Sequence, residues 1–101
     1  MHSIKYFHRV IKMDMAKVES LAFKLKVLGH PSRLAIAHGI AAKGCRVKQI
    51  AEDLGIPQSV ASLHLSRLRA AGIVEGERQG SGVCYHVIDK TVLKLLELLP
   101  K

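Results

Sequence analysis

Apolar residues recur at helical spacing through residue 71, alternate every second residue between 73 and 88, and then return to helical spacing. Val18, Leu21, Ala22, Leu25 and Leu28 repeat at three and four, which predicts a helix over residues 14–28 with Asp14 as its N-cap and Gly29 ending it. His30-Pro31 opens a second helix, with proline at a first-turn position where its missing N–H costs nothing. Leu34, Ile36, Ala37, Ile40 and Ala41 make that helix mostly buried, and Gly44 ends it. Cys45-Arg46-Val47 is too short for a helix and reads as a minimal strand.

A third helix is predicted over residues 48–54, with Ile50, Ala51 and Leu54 inward, and Gly55 permits the left-handed turn that follows it. A fourth runs over residues 57–71. The alternating stretch reads as a hairpin with a glycine-rich tip, G-S-G. Asp89 caps a last helix, T-V-L-K-L-L-E-L-L. The order α-α-β-α-α-β-β-α is a mainly α fold with a small β wing, the winged helix-turn-helix. Residues 1–13, with Lys5, Arg9 and Lys12, read as a basic arm, docked or disordered, ahead of a domain over 14–101.

Two short helices broken by Gly55 and Pro57 leave the second free to enter a DNA major groove. Charge points the same way. Sixteen Lys and Arg against eight Asp and Glu give a net charge of +8, which attracts a polyanion. Aromatic content of 4% argues against single-strand or RNA platforms built on base stacking. With Ala61, Leu65 and Leu68 inward, Ser59, Ser62, Leu63, Ser66 and Arg67 fall on or near the outer face. Ser59 and Ser62 can bond base edges or phosphates, and Gln58 can pair with adenine. Arg67 and Arg69 lie further along, where phosphate contact is expected, and Arg78 near the wing tip would sit beside the backbone.

Four stretches in order, L-K-V-L-G-H-P-S-R-L, A-E-D-L-G-I-P-Q-S-V-A-S-L-H-L, L-R-A-A-G-I-V and C-Y-H-V, resemble the ArsR family of bacterial winged-helix repressors. The resemblance covers residues 25–87. It implies a homodimeric repressor that binds an inverted repeat in double-stranded DNA and releases it when an inducer arrives. It also implies a dimer interface from the first and last helices, which here means Val18, Leu21, Leu25, Val92, Leu95, Leu96 and Leu99. Leu63 departs from the polar or basic residue usual in the family, and it can only touch a thymine methyl or pack on sugar. His64 is usual there and is expected to pack.

Many family members bind a metal through a Cys-x-Cys pair ahead of the turn, and those positions are Arg46 and Lys48 here. The other recurrent site uses Asp and His on the last helix, which offers Asp89 and Glu97 but no histidine. No metal site and no cofactor are expected. Cys45 and Cys84 remain, with His86 two residues from Cys84. A reversible disulfide, a Cys₂His site and a purely packing role all stay open. Alternation places Val83, Tyr85 and Val87 on the buried face of the wing, so Cys84 is expected to face away from Cys45. His2, His8, His30 and His38 have no spacing of a ligand pair.

An enzyme is not expected, because no phosphate loop, metalloprotease helix or nucleophile elbow is present. The alternative reading is a winged-helix module that binds a protein partner through Leu63 and its neighbours. No apolar run is long enough to span a bilayer or to form a secretion signal, so a cytoplasmic protein is expected.

Overall fold

A computed structural model describes residues 13–42 and 46–100. Most of the expected basic arm, the Gly44 helix stop and Cys45 lie outside the described residues. Helix α1 spans Met15–Leu28, and the Asp14 carboxylate accepts from the amides of Ala16 and Lys17 at 3.0 and 3.3 Å. These two bonds satisfy donors that the first helical turn leaves open. Helix α2 spans Pro31–Ala42, α3 Val47–Leu54 and α4 Gln58–Ala70. Gly55 adopts φ +67 between α3 and α4, a conformation in which a side chain would be strained.

Strands β1 (Val74–Gln79) and β2 (Gly82–Val87) pair antiparallel, from Val74↔Val87 at the base to Gln79↔Gly82 at the tip. Helix α5, Lys90–Leu96, starts at Asp89, whose carboxylate accepts from the Val92 amide at 2.9 Å. The strand expected over 45–47 reduces, among the described residues, to one bridge between Arg46 and Cys84. Val47 is already helical, because Arg46 serves as the extended N-cap of α3 at φ −92, ψ 130.

The core lies between α2 and α4 and is closed by the base of the hairpin and by α5. Ile36, Leu65, Leu68, Ile73, Val74, Val92 and Leu96 are its largest fully buried side chains. Each contributes about 1.5–3 kcal/mol relative to exposure. Several sequence expectations change here, among them Ala41 and Leu54, which were expected inward and are exposed. The α1 stripe buries Leu28, with its neighbour Val27, whereas Val18, Leu21 and Leu25 are 38–46% exposed. Val92 and Leu96, expected at the dimer interface, are 1% and 2% exposed within the protomer and fill its own core. One side of α5 has to close the space between α2 and the hairpin, and those two residues lie on it.

Cys84 is a further correction. It is the most buried residue of β2, at 4% exposure, while Val83, Tyr85 and Val87 are half-buried. Arg46 pairs with Cys84 along the outer edge of β2, opposite Glu77 of β1, so a segment that the strand's own alternation cannot show lies beside it.

Candidate nucleic-acid interface

Helix α4 is anchored by Ala61, His64, Leu65 and Leu68 and presents everything else outward. Gln58, Ser59, Ser62, Leu63, Ser66, Arg67 and Arg69 are all exposed, as expected from helical spacing. Gln58 starts the helix directly after Pro57, so the polar positions gather at the N-terminal half and the guanidinium groups in the last turn. Positive charge there also complements the helix dipole. Leu63, 53% exposed, is the one large apolar side chain among these candidate contacts.

His64 holds this helix to the body. Arg33 of α2 donates from Nε to His64 Nδ1 at 3.4 Å, and its Nη1 donates to the Val27 carbonyl at 3.1 Å. The His30 ring packs against the His64 ring at 4.7 Å, tilted by 53°. Burial first, and then the positive charges of His30, Arg33 and Arg67, lower the His64 pKa from its ordinary value. Arginine can only donate, so Nδ1 is the acceptor and the neutral ring carries its proton on Nε2. Spacing alone gives the packing role of His64 but cannot reveal Arg33 as its partner, 31 residues away.

The wing tip is a two-residue turn, Gly80-Ser81, with Gly80 at φ +62. Arg78 is exposed on β1 close to that tip. Lys24 on α1 forms an ion pair with Asp89 at the start of α5, so the two terminal helices are tied together. Sequence reasoning missed this contact, since it joins residues 65 apart.

Arg46 and Lys48, at the positions of the familiar metal pair, carry no ligand chemistry, and no group of three or more His, Cys, Asp or Glu is arranged for a metal among the described residues. Cys84 is not a free thiol but disulfide-bonded, its sulfur 3.4 Å from His86 Nε2. Cys45 lies outside the described residues.

An exposed polar and basic helix followed by a two-stranded hairpin is the arrangement of a winged helix-turn-helix, and known proteins share it. Residues 28–77 match the family model described as a helix-turn-helix domain. A helix-turn-helix transcriptional regulator of Methanocaldococcus jannaschii, MJ1325, is 35% identical over 86 residues, which cover 84% of this chain and 97% of that protein. The crystal structure of the transcriptional repressor PagR of Bacillus anthracis superposes with a TM-score of 0.76 at 32% identity, covering 86% of this chain and all of that one.

This chain belongs to the ArsR family of winged helix-turn-helix transcriptional regulators. A third likeness is the homodimeric DNA-binding domain of Mb0332 from Mycobacterium bovis, a possible ArsR-family regulator, with a TM-score of 0.74 at 30% identity and coverage of 83% and 78%. As a member of the family, the protein is a DNA-binding transcriptional regulator. No helix among the described residues of this ArsR-family protein is long and apolar enough to cross a membrane.

Proposed function

We propose that this protein is a homodimeric repressor that binds an inverted-repeat operator in double-stranded DNA through α4 and the wing. It acts in the cytoplasm and has no catalytic role. Gln58, Ser59, Ser62, Leu63 and Ser66 meet the base edges, whereas Arg67, Arg69 and Arg78 meet phosphate. The observation that carries this reading is the exposure of that one face of α4 above a buried opposite face.

The dimer is supported by apolar surface that one protomer leaves open. Val18, Leu21, Phe23 and Leu25 on α1 and Leu98 beyond α5 are exposed large apolar side chains. Leu25, Leu28, Leu34, Leu95, Leu98 and Leu99 line an apolar groove of about 270 Å³ between α1 and the end of the chain. A second copy related by a two-fold axis would bury both patches against each other. Leu95 and Leu99 stay at this interface; Val92 and Leu96 do not.

Selection from a random pool of DNA duplexes tests the reading. The expected product is an inverted repeat whose half-site centres lie about 10 bp apart, bound more weakly as salt rises. No enrichment, or a salt-independent interaction with a protein instead, would overturn it. A thiol-responsive form of the reading rests on the two cysteines, of which Cys84 is buried and disulfide-bonded. Anisotropy titrations of the selected duplex with reduced and diamide-oxidised protein decide that part: equal binding retires it.

A further inference from the structure

Arg46 breaks a local rule. It occupies the N-cap of α3 but makes no side-chain cap bond there. Ser, Thr, Asp and Asn are favoured at that position because they accept from the open amides, and a guanidinium cannot accept at all. The side chain is used elsewhere. Its Nη2 donates to the carbonyl of Gln79, the last residue of β1, at 3.0 Å. Its backbone pairs with Cys84 on β2. The guanidinium also fills the space beside Gly82, where a Cβ would come within 1.7 Å of Nη1 and 3.0 Å of Cζ.

One arginine therefore touches both strands of the wing next to its turn, and it does so from the residue that begins the helix-turn-helix. Wing hairpins are two-stranded and weak in isolation. This one has its base packed into the core at Val74, while Glu77, Arg78, Gln79 and Gly80 near the tip are exposed. The Arg46 guanidinium adds a contact close to the tip, beyond the backbone bridge at Cys84.

We infer that Arg46 is a positioning residue for DNA binding, holding the wing tip at a set angle to α3 and α4 so that both parts meet the duplex together. Gly82 is the other half of the device, because only a residue without a side chain leaves room for the guanidinium. The inference rests on the reading of the wing as a DNA-contacting element. Without the clamp the tip must be ordered on binding, and that entropy lowers affinity without removing any contact from the complex.

A double-mutant cycle tests it on the full-length protein, with the selected operator duplex as probe. Arg46→Ala and Gly82→Ala are each expected to weaken binding about fivefold, as for loss of one net hydrogen bond. The double variant is expected to bind no more weakly than either single one, since each removes the same contact. In the free protein, heteronuclear NOE values of the Gly80 and Ser81 amides should fall in both single variants, with melting temperature nearly unchanged. The slope of log affinity against log salt should stay that of the parent. Additive losses, or an unchanged tip in the free protein, would overturn the clamp. A lower salt slope for Arg46→Ala would overturn it too, because Arg46 would then be meeting phosphate itself. Arg78→Ala separates the two readings. If it leaves affinity unaltered while the tip loosens in Arg46→Ala, the wing does not contact DNA and the role in binding falls.

Discussion

Nε of Arg33 on α2 donates to Nδ1 of His64 on α4, 3.4 Å away, and so fastens α4 to the helix that carries Ile36 of the core. The bond requires a neutral imidazole, and the groups facing it, His30, Arg33 and Arg67, are all cationic or able to become so. The folded pKa of His64 lies below its ordinary value. As pH falls below about 6.5, the unfolded chain takes up this proton first, so stability declines and the loss is complete below the folded value. Thermal melts from pH 7.5 to 5 should show that decline. His64→Gln keeps an acceptor for Arg33 without a titrating group and should flatten it. An identical pH profile in this variant would remove His64 from the account.

Arg33→Ala should cost about 1–2 kcal/mol, since it leaves both the Val27 carbonyl and His64 Nδ1 without this donor. That corresponds to a melting point roughly 5–15 °C lower. Calorimetry on the purified variant checks it, and an unchanged melting point would mean that water replaces the guanidinium at no cost.

Asp89 both caps α5 and pairs with Lys24. Its carboxyl is held below the usual range first by the Lys24 hydrogen bond and then by the Val92 amide. This contribution is present above the unfolded carboxylate value of about 3.9 and is lost as pH falls through the folded one. Asp89→Ala should cost about 1–2 kcal/mol through the cap alone. Asp89→Asn, which retains an oxygen for the cap, should cost less and should also lose this acid dependence. Denaturant melts at pH 7 and pH 3.5 distinguish the two variants.

Leu96 and Leu98 stand two residues apart with opposite surroundings, 2% and 79% exposed. Leu96→Ala should destabilise the protomer by about 2–5 kcal/mol through the cavity it leaves. Leu98→Glu combined with Leu21→Glu should leave the protomer folded but shift it to a monomer in light scattering. A monomeric parent protein would defeat the second expectation directly.

On α4, substitutions should divide by role. Arg67→Ala should weaken binding to all duplexes alike and reduce the salt slope by about one per protomer. Ser62→Ala or Gln58→Ala should relax selection at single base positions, each by about 1–3 kcal/mol where a paired contact is lost. Competition binding against a set of single-base operator variants reads both effects.

Much of this organisation was legible in the chain because the signals are local. Asp14 and Asp89 are acceptors at helix starts, Gly55 is the residue that tolerates φ +67, and the inward residues of α4 recur at three and four. The exposed face of α4, and with it the candidate DNA contacts, followed from that period alone. What misled the reading was two-fold alternation in β2. It assigned Cys84 to solvent because it counts only the strand's own pleat and ignores the segment at Arg46 that pairs along its outer edge.

Element types, their order and the outward residues of α4 were already encoded locally, since these depend on contacts within a few residues along the chain. Tertiary structure alone decided that Val92 and Leu96 belong to the core and Leu98 to the surface, because one helix can turn either side inward until its neighbours are placed. It also decided the partners of the long polar side chains: Lys24 with Asp89, Arg33 with His64 and Arg46 with Gln79. These pairs are 65, 31 and 33 residues apart in the chain. No periodic pattern extends over such separations, and only the packed helices bring donor and acceptor within reach.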